Sequence, residues 1–133
     1  MKRLLIPFSI IFLTFGCTDD FTEEQFLDSD TPILVESGKE ILRYDENSCQ
    51  AAFNRERGEF RIMKDNLSDF YAVRLENLAF RTGDEVRGSV CWSDPYNIQE
   101  KKNIAFKVVK LEGDMIWLKS DKERIQLVLR TLE

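Results

Sequence analysis

From residue 38 onward apolar and polar residues alternate, the period-two pattern of strands with one buried face. The spacing predicts a first strand over 40–44. Cys49, Ala51 and Phe53 share one face of a second, and Arg57-Gly58 supplies a turn after it. Phe60 and Ile62 alternate in a third. A polar connection over 64–69 leads to a fourth, with Tyr71, Val73 and Leu75 on one side. Thr82-Gly83-Asp84 is turn chemistry. Val86, Val90 and Trp92 then line a fifth strand, in which Gly88 marks a bulge or a tight corner. The last thirty or so residues predict a three-stranded meander: 104–112, a Gly113-Asp114 hairpin turn, 115–119, a turn over 120–122, and a final strand carrying Ile125, Leu127 and Leu129. Residues 67–80 also allow a helix, a reading their β-branched and aromatic content opposes. Seven or eight short strands predict an all-β fold, either a small closed barrel or a sandwich.

The pattern before residue 38 is different. Lys2 and Arg3 precede an apolar run over 4–15, interrupted at Pro7, Ser9 and Thr14, and Gly16-Cys17 closes it. This run falls well short of the roughly 20 apolar residues that span a bilayer, and it reads as an export signal. Residues 18–32 hold six acids (Asp19, Asp20, Glu23, Glu24, Asp28, Asp30) and no base. A self-repelling segment of this kind predicts an extended, flexible tether. The expected organisation is therefore a signal peptide over 1–16, an acidic tether over 17–37 and a β-barrel domain over 38–133.

A small residue before a cysteine at the end of an apolar run resembles the lipobox of bacterial lipoproteins. The resemblance implies that Cys17 becomes the first residue of the mature chain and carries acyl groups, palmitate among them. The chain is then anchored in a bacterial outer membrane, at the cell surface or on the periplasmic face. Thr14 stands where leucine is usual, with Leu13 one place back. Such loosened boxes are those of Bacteroidetes-type lipoproteins, whose surface-export signal the acids Asp19 and Asp20 also resemble. Thr14-Phe15-Gly16 equally fits ordinary signal cleavage, and the acids equally fit a solvated linker. Residues 83–90 resemble the gly-x-x-val-x-gly-x-val strand of many OB domains, which implies that the barrel is OB-like or related.

Charge narrows the function classes. The full chain has 19 bases and 24 acids. Loss of Lys2 and Arg3 leaves 17 against 24, a net of −7, whereas residues 38–133 hold 17 of each. A neutral domain lacks the electrostatic footprint of a nucleic-acid binder. The chain has no histidine, which removes the usual zinc ligand and every Ser-His or Cys-His nucleophile. It shows no phosphate loop or calcium loop, so no cofactor and no metal is expected. With Cys17 acylated, Cys49 and Cys91 remain as an even pair in an oxidising compartment. A bridge between them closes a loop of about 42 residues and contributes roughly 4 kcal/mol. Two buried free thiols are the alternative.

The candidate contact surface is Trp92-Ser93-Asp94-Pro95-Tyr96-Asn97. Trp92 and Tyr96 with Asp94 and Asn97 are parts that stack on a sugar ring or anchor a peptide. Trp92 alternatively plugs the barrel, with Asp94-Pro95 making the turn. Trp117, between Ile116 and Leu118, is expected in the core. Arg61, Arg74 and Arg87 form either a cationic strip or, with Glu59, Glu76 and Glu85, a mixed solvated face. Catalysis here requires paired carboxylates, of which Glu85 and Asp94 are the candidates. The function expected is a non-catalytic, membrane-anchored binding module for glycan or peptide. The alternatives are a subunit or inhibitor within an envelope assembly, and a carboxylate-based hydrolase. Oligomeric state is left open.

Overall fold

The computed structural model describes residues 21–94 and 97–131. In chain order the elements are α1 (Glu23–Leu27), β1 (Ile33–Glu36), β2 (Lys39–Arg43), β3 (Cys49–Asn54), β4 (Glu59–Lys64), β5 (Phe70–Leu75), β6 (Glu85–Asp94), β7 (Asn97–Glu112), β8 (Met115–Ser120) and β9 (Ile125–Arg130). All nine strands form one curled antiparallel sheet in the order β2-β1-β9-β8-β7-β6-β5-β4-β3. From β3 to β9 this is an up-and-down meander. The N-terminal hairpin then returns to pair with the last strand, Ile33 opposite Val128 and Glu36 opposite Ile125. The all-β, barrel-like expectation holds in this single sheet, which forms a half-barrel rather than a closed one. Its ninth strand is β1, in the segment read as tether.

The sheet curls into a half-barrel, and strand direction explains why it stays open. Every neighbouring pair is antiparallel, so with nine strands the two edges, β2 and β3, run the same way. Seating parallel strands side by side takes a crossover of a dozen or more residues. Only Tyr44 to Ser48 connect β2 to β3, five residues. The chain therefore turns a corner from one edge to the other, through a tight turn in which Cys49 N–H donates to the Asp45 carbonyl at 2.7 Å. The Cys49 thiol reaches the Arg43 carbonyl across the seam at 3.8 Å.

Alternation puts one continuous core inside the curl, including Leu34, Phe60, Tyr71, Val90, Trp92, Phe106, Leu118 and Leu127. Gly88 lies in β6 where a Cβ would run into the Arg74 carbonyl oxygen of β5. Beside it the β6–β7 register slips between Gly88 and Val90, with the extra residue on β7, where Asn103 takes a φ of 61°. The irregularity expected at Gly88 is thus a bulge on the neighbouring strand, which bends the sheet.

A second apolar cluster covers the outer face of β1, β9 and β8: Phe26, Ile33, Val35, Trp117 and Val128. Here the boundary expected at residue 38 is corrected, because 21–37 are built into the domain. Thr22 opens α1 with a capping box, accepting from the Gln25 N–H while Gln25 returns a bond to the Thr22 N–H. Phe26 is fully buried beneath the helix. The Trp117 indole N–H donates to the Phe26 carbonyl at 3.1 Å, and Lys110 Nζ lies 4.5 Å above the Trp117 ring. Acidic composition suggested a repelling tether. The apolar residues Phe21, Phe26, Ile33 and Val35 interleaved with those acids decide the outcome, because each buries a side chain that offsets the cost of ordering.

Candidate functional site

Where β2 stops short of a partner, its free edge faces the turn joining β4 to β5, the end of β6 and the start of β7. Between them lies a cleft of about 570 Å³, within the range of small-ligand sites. Ile41, Leu42, Phe70 and Trp92 give it an apolar lining, and Glu36, Lys39, Lys64, Asp69, Asp94 and Lys101 give it charge of both signs. Ser93 Oγ accepts from the Phe70 N–H at 3.0 Å and so ties the start of β5 to the end of β6. Lys101 Nζ stands between Glu36 and Glu123, at 3.8 and 3.7 Å. The first contact fixes the wall opposite β2, and the Lys101–Glu36 ion pair ties the start of β7 to the end of β1 beside β2.

The barrel interior is a poor alternative. The cavity lined there by Ala51, Phe60, Tyr71 and Leu129 measures about 30 Å³, room for about one water. Tyr71 is fully buried, and its hydroxyl has no hydrogen-bond partner among the described residues. Burial holds the phenol proton far above its ordinary titration range, with the Cys49 thiol adding to the effect. A larger depression of about 750 Å³ on the outer face is lined by Arg57, Arg74, Glu76, Glu100 and Lys102. It lacks the aromatic lining of the cleft.

The structure divides the predicted contact group. Asp94 is exposed and lines the cleft. Trp92 lines it too but is only 4 % exposed and belongs to the core, so its role as a freely offered stacking ring is corrected to that of a plug. Asn97 is exposed opposite Asp94 in the hairpin and outside the cleft lining. Tyr96, with Pro95, lies outside the described residues. Lys39, Ile41, Leu42, Lys64 and Phe70 escaped sequence reasoning, because they come from strands that meet only once the sheet curls.

Other expectations resolve from register. Cys49 and Cys91 are free thiols, which corrects the predicted bridge. They sit on strands three places apart, roughly 14 Å, against a disulfide Cα separation of about 4.4–6.8 Å. Cys49 also points into the core, whereas Cys91 falls between the inward-facing Val90 and Trp92 and so points out. Burial pushes the Cys91 thiol up, and Glu100 nearby adds to this. Glu85 and Asp94 occupy opposite ends of β6. Nine residue steps along the strand separate them by roughly 30 Å, too far for the ~5–9.5 Å of a glycosidase pair. The three arginines are all exposed, but Glu59 lies opposite Arg74 and pairs with Arg61 at 3.7 Å, giving the mixed solvated face. Trp117 is buried as expected, against α1 rather than in the barrel.

No protein-family model, curated protein or solved structure matches the chain.

Proposed function

We propose that this chain is a lipoprotein of a bacterial outer membrane, anchored through acylated Cys17, whose β-barrel is a non-catalytic binding module for peptide or glycan. The export-signal pattern of residues 1–17 supports the anchor. No described helix is long and apolar enough to cross a membrane. The cleft carries the binding reading: apolar and aromatic side chains and charges of both signs converge beside an unpaired strand edge. That edge favours peptide of the two ligand classes, because an extended backbone is the partner whose alternating donors and acceptors match it.

The test presents the intact acylated protein, in nanodiscs, to a displayed peptide library and to a glycan array. Ligands should emerge whose affinity falls about tenfold or more in Lys39→Glu or Asp94→Lys, exposed changes that shift stability by no more than about 0.5 kcal/mol. Ligands indifferent to both substitutions, or none at all, would sink the reading.

A second reading, an interaction subunit of an envelope assembly, draws on the opposite edge. β3 reads Cys49-Gln50-Ala51-Ala52-Phe53-Asn54, with no charge and no proline, whereas exposed edges are ordinarily guarded by such residues. Co-purification of a partner that Ala52→Lys abolishes supports it, and monomeric behaviour after gentle solubilisation counts against it.

A further inference from the structure

The end of the barrel that carries the cleft is also the end at which the described chain begins, at Phe21. The Phe21 N–H donates to the Gly38 carbonyl at 2.6 Å, in the turn between the cleft residues Glu36 and Lys39. Everything from Phe21 onward is then secured by α1 and β1. Cys17 precedes Phe21 by four residue steps, a reach of at most about 14 Å. If Cys17 holds the lipid, this end of the domain cannot leave the bilayer surface by more than that span plus its own contour.

The same end presents apolar side chains to solvent. Leu67 is 67 % exposed at the tip of the β4–β5 turn, and Ile98 is 69 % exposed just after the β6–β7 turn. The β4–β5 turn, the end of β6 and the start of β7 border the cleft. Leu111, toward the opposite end beside the β7–β8 turn, is the remaining large exposed apolar residue described, at 37 %. Charge around the end is mixed, Lys39, Lys64, Lys122 and Arg124 against Asp65, Asp69, Asp94 and Asp121. Such a surface has no need of anionic lipid.

The geometry points to a docking face: this end rests on the bilayer to which Cys17 tethers it, with Leu67 and Ile98 seated among zwitterionic headgroups and the cleft opening at headgroup level. The inference rests on the acylated Cys17 of the proposed function. Short tethering supplies proximity, and buried apolar side chains supply the orientation.

The test uses the full acylated chain in phosphatidylcholine nanodiscs carrying a headgroup quencher. A fluorophore is attached at Ser68→Cys, at Asn97→Cys or, on the far turn, at Glu56→Cys, each in a Cys91→Ser background. Quenching at 68 and 97 should exceed that at 56 by about threefold or more and should survive high salt, since exposed charge contacts are screened there and apolar ones are not. The double change Leu67→Asp with Ile98→Asp should abolish the difference. Equal quenching at the three positions, its loss at high salt, or its persistence in the double variant overturns the docking face while leaving the anchor intact. An unacylated Cys17, read first by mass spectrometry, overturns anchor and docking face together.

Discussion

Trp92 and Trp117 are both buried, yet they belong to different structures within one domain. Trp92 lies inside the curl among Tyr71, Val90 and their neighbours, in a core to which strands from β1 to β9 contribute. Trp117 lies on the outer face, where Phe26, Ile33, Val35 and Val128 surround it and α1 supplies the acceptor for its N–H. Removing the first empties a site that the whole sheet shares. Removing the second unfastens a short helix from a sheet that keeps its interior. The contrast teaches that α1 and the outer face of β1 strap a barrel whose interior β1 itself helps to fill.

The largest effect is expected from Trp92→Ala, which should cost roughly 3–5 kcal/mol. Thermal unfolding should show one cooperative transition at much lower temperature, with no region lost ahead of the rest. Trp117→Ala should fall at the lower end of the same range, about 3 kcal/mol. Hydrogen exchange should then rise over 21–36 well before β4 to β7 are affected. Uniform exchange in that variant would erase the distinction between strap and barrel.

Tyr71→Phe sharpens the comparison from the other direction. Its hydroxyl is buried without a described partner, so the variant should gain about 1 kcal/mol in denaturant melts. A loss of stability would show that the hydroxyl is satisfied. The smallest effect belongs to the strap's ion pair. Lys119 Nζ meets Glu23 at 2.9 Å, and this hydrogen bond raises the Lys119 pKa against a smaller opposing effect of burial. A raised amine stabilises the fold fully below the unfolded lysine value of about 10.4 and ceases to do so as pH climbs through the folded one. The pair is solvent-screened and is expected to contribute under about 1 kcal/mol. Glu23→Gln should remove that amount at pH 8 and have progressively less effect above pH of about 10.4, measured by melts in Glu23→Gln and the parent chain.

Eight of the nine strands were legible, because alternation at Phe60 and Ile62 or at Tyr71, Val73 and Leu75 is set locally by the pleat. β1 was not. Ile33, Leu34 and Val35 are buried on both faces, so they form a continuous apolar run, and a run of that length beside six acids resembles neither a half-buried strand nor a helix. α1 was hidden for a related reason: five residues with one buried side chain carry no period. The site was half legible. Asp94 and Trp92 stood out as a local cluster, while the wall formed by Lys39, Ile41 and Leu42 depends on which strands become edges. The disulfide failed because an even count of cysteines says nothing about which face of the sheet each one occupies.

The return of β1 to β9 has a consequence for the order of events as the chain is made. Ile33 and its partner Val128 are 95 positions apart, so the earliest strand of the domain waits for the last before it has a neighbour on that side. β3 to β9 can zip hairpin by hairpin in the meantime, each contact local. The strap, the cleft wall and the end that bears Leu67 and Ile98 are all completed in that final step. A chain halted before Ile125 should therefore leave 21–43 open to proteases, and protection of that segment in such a truncation would show that the hairpin finds its place without β9.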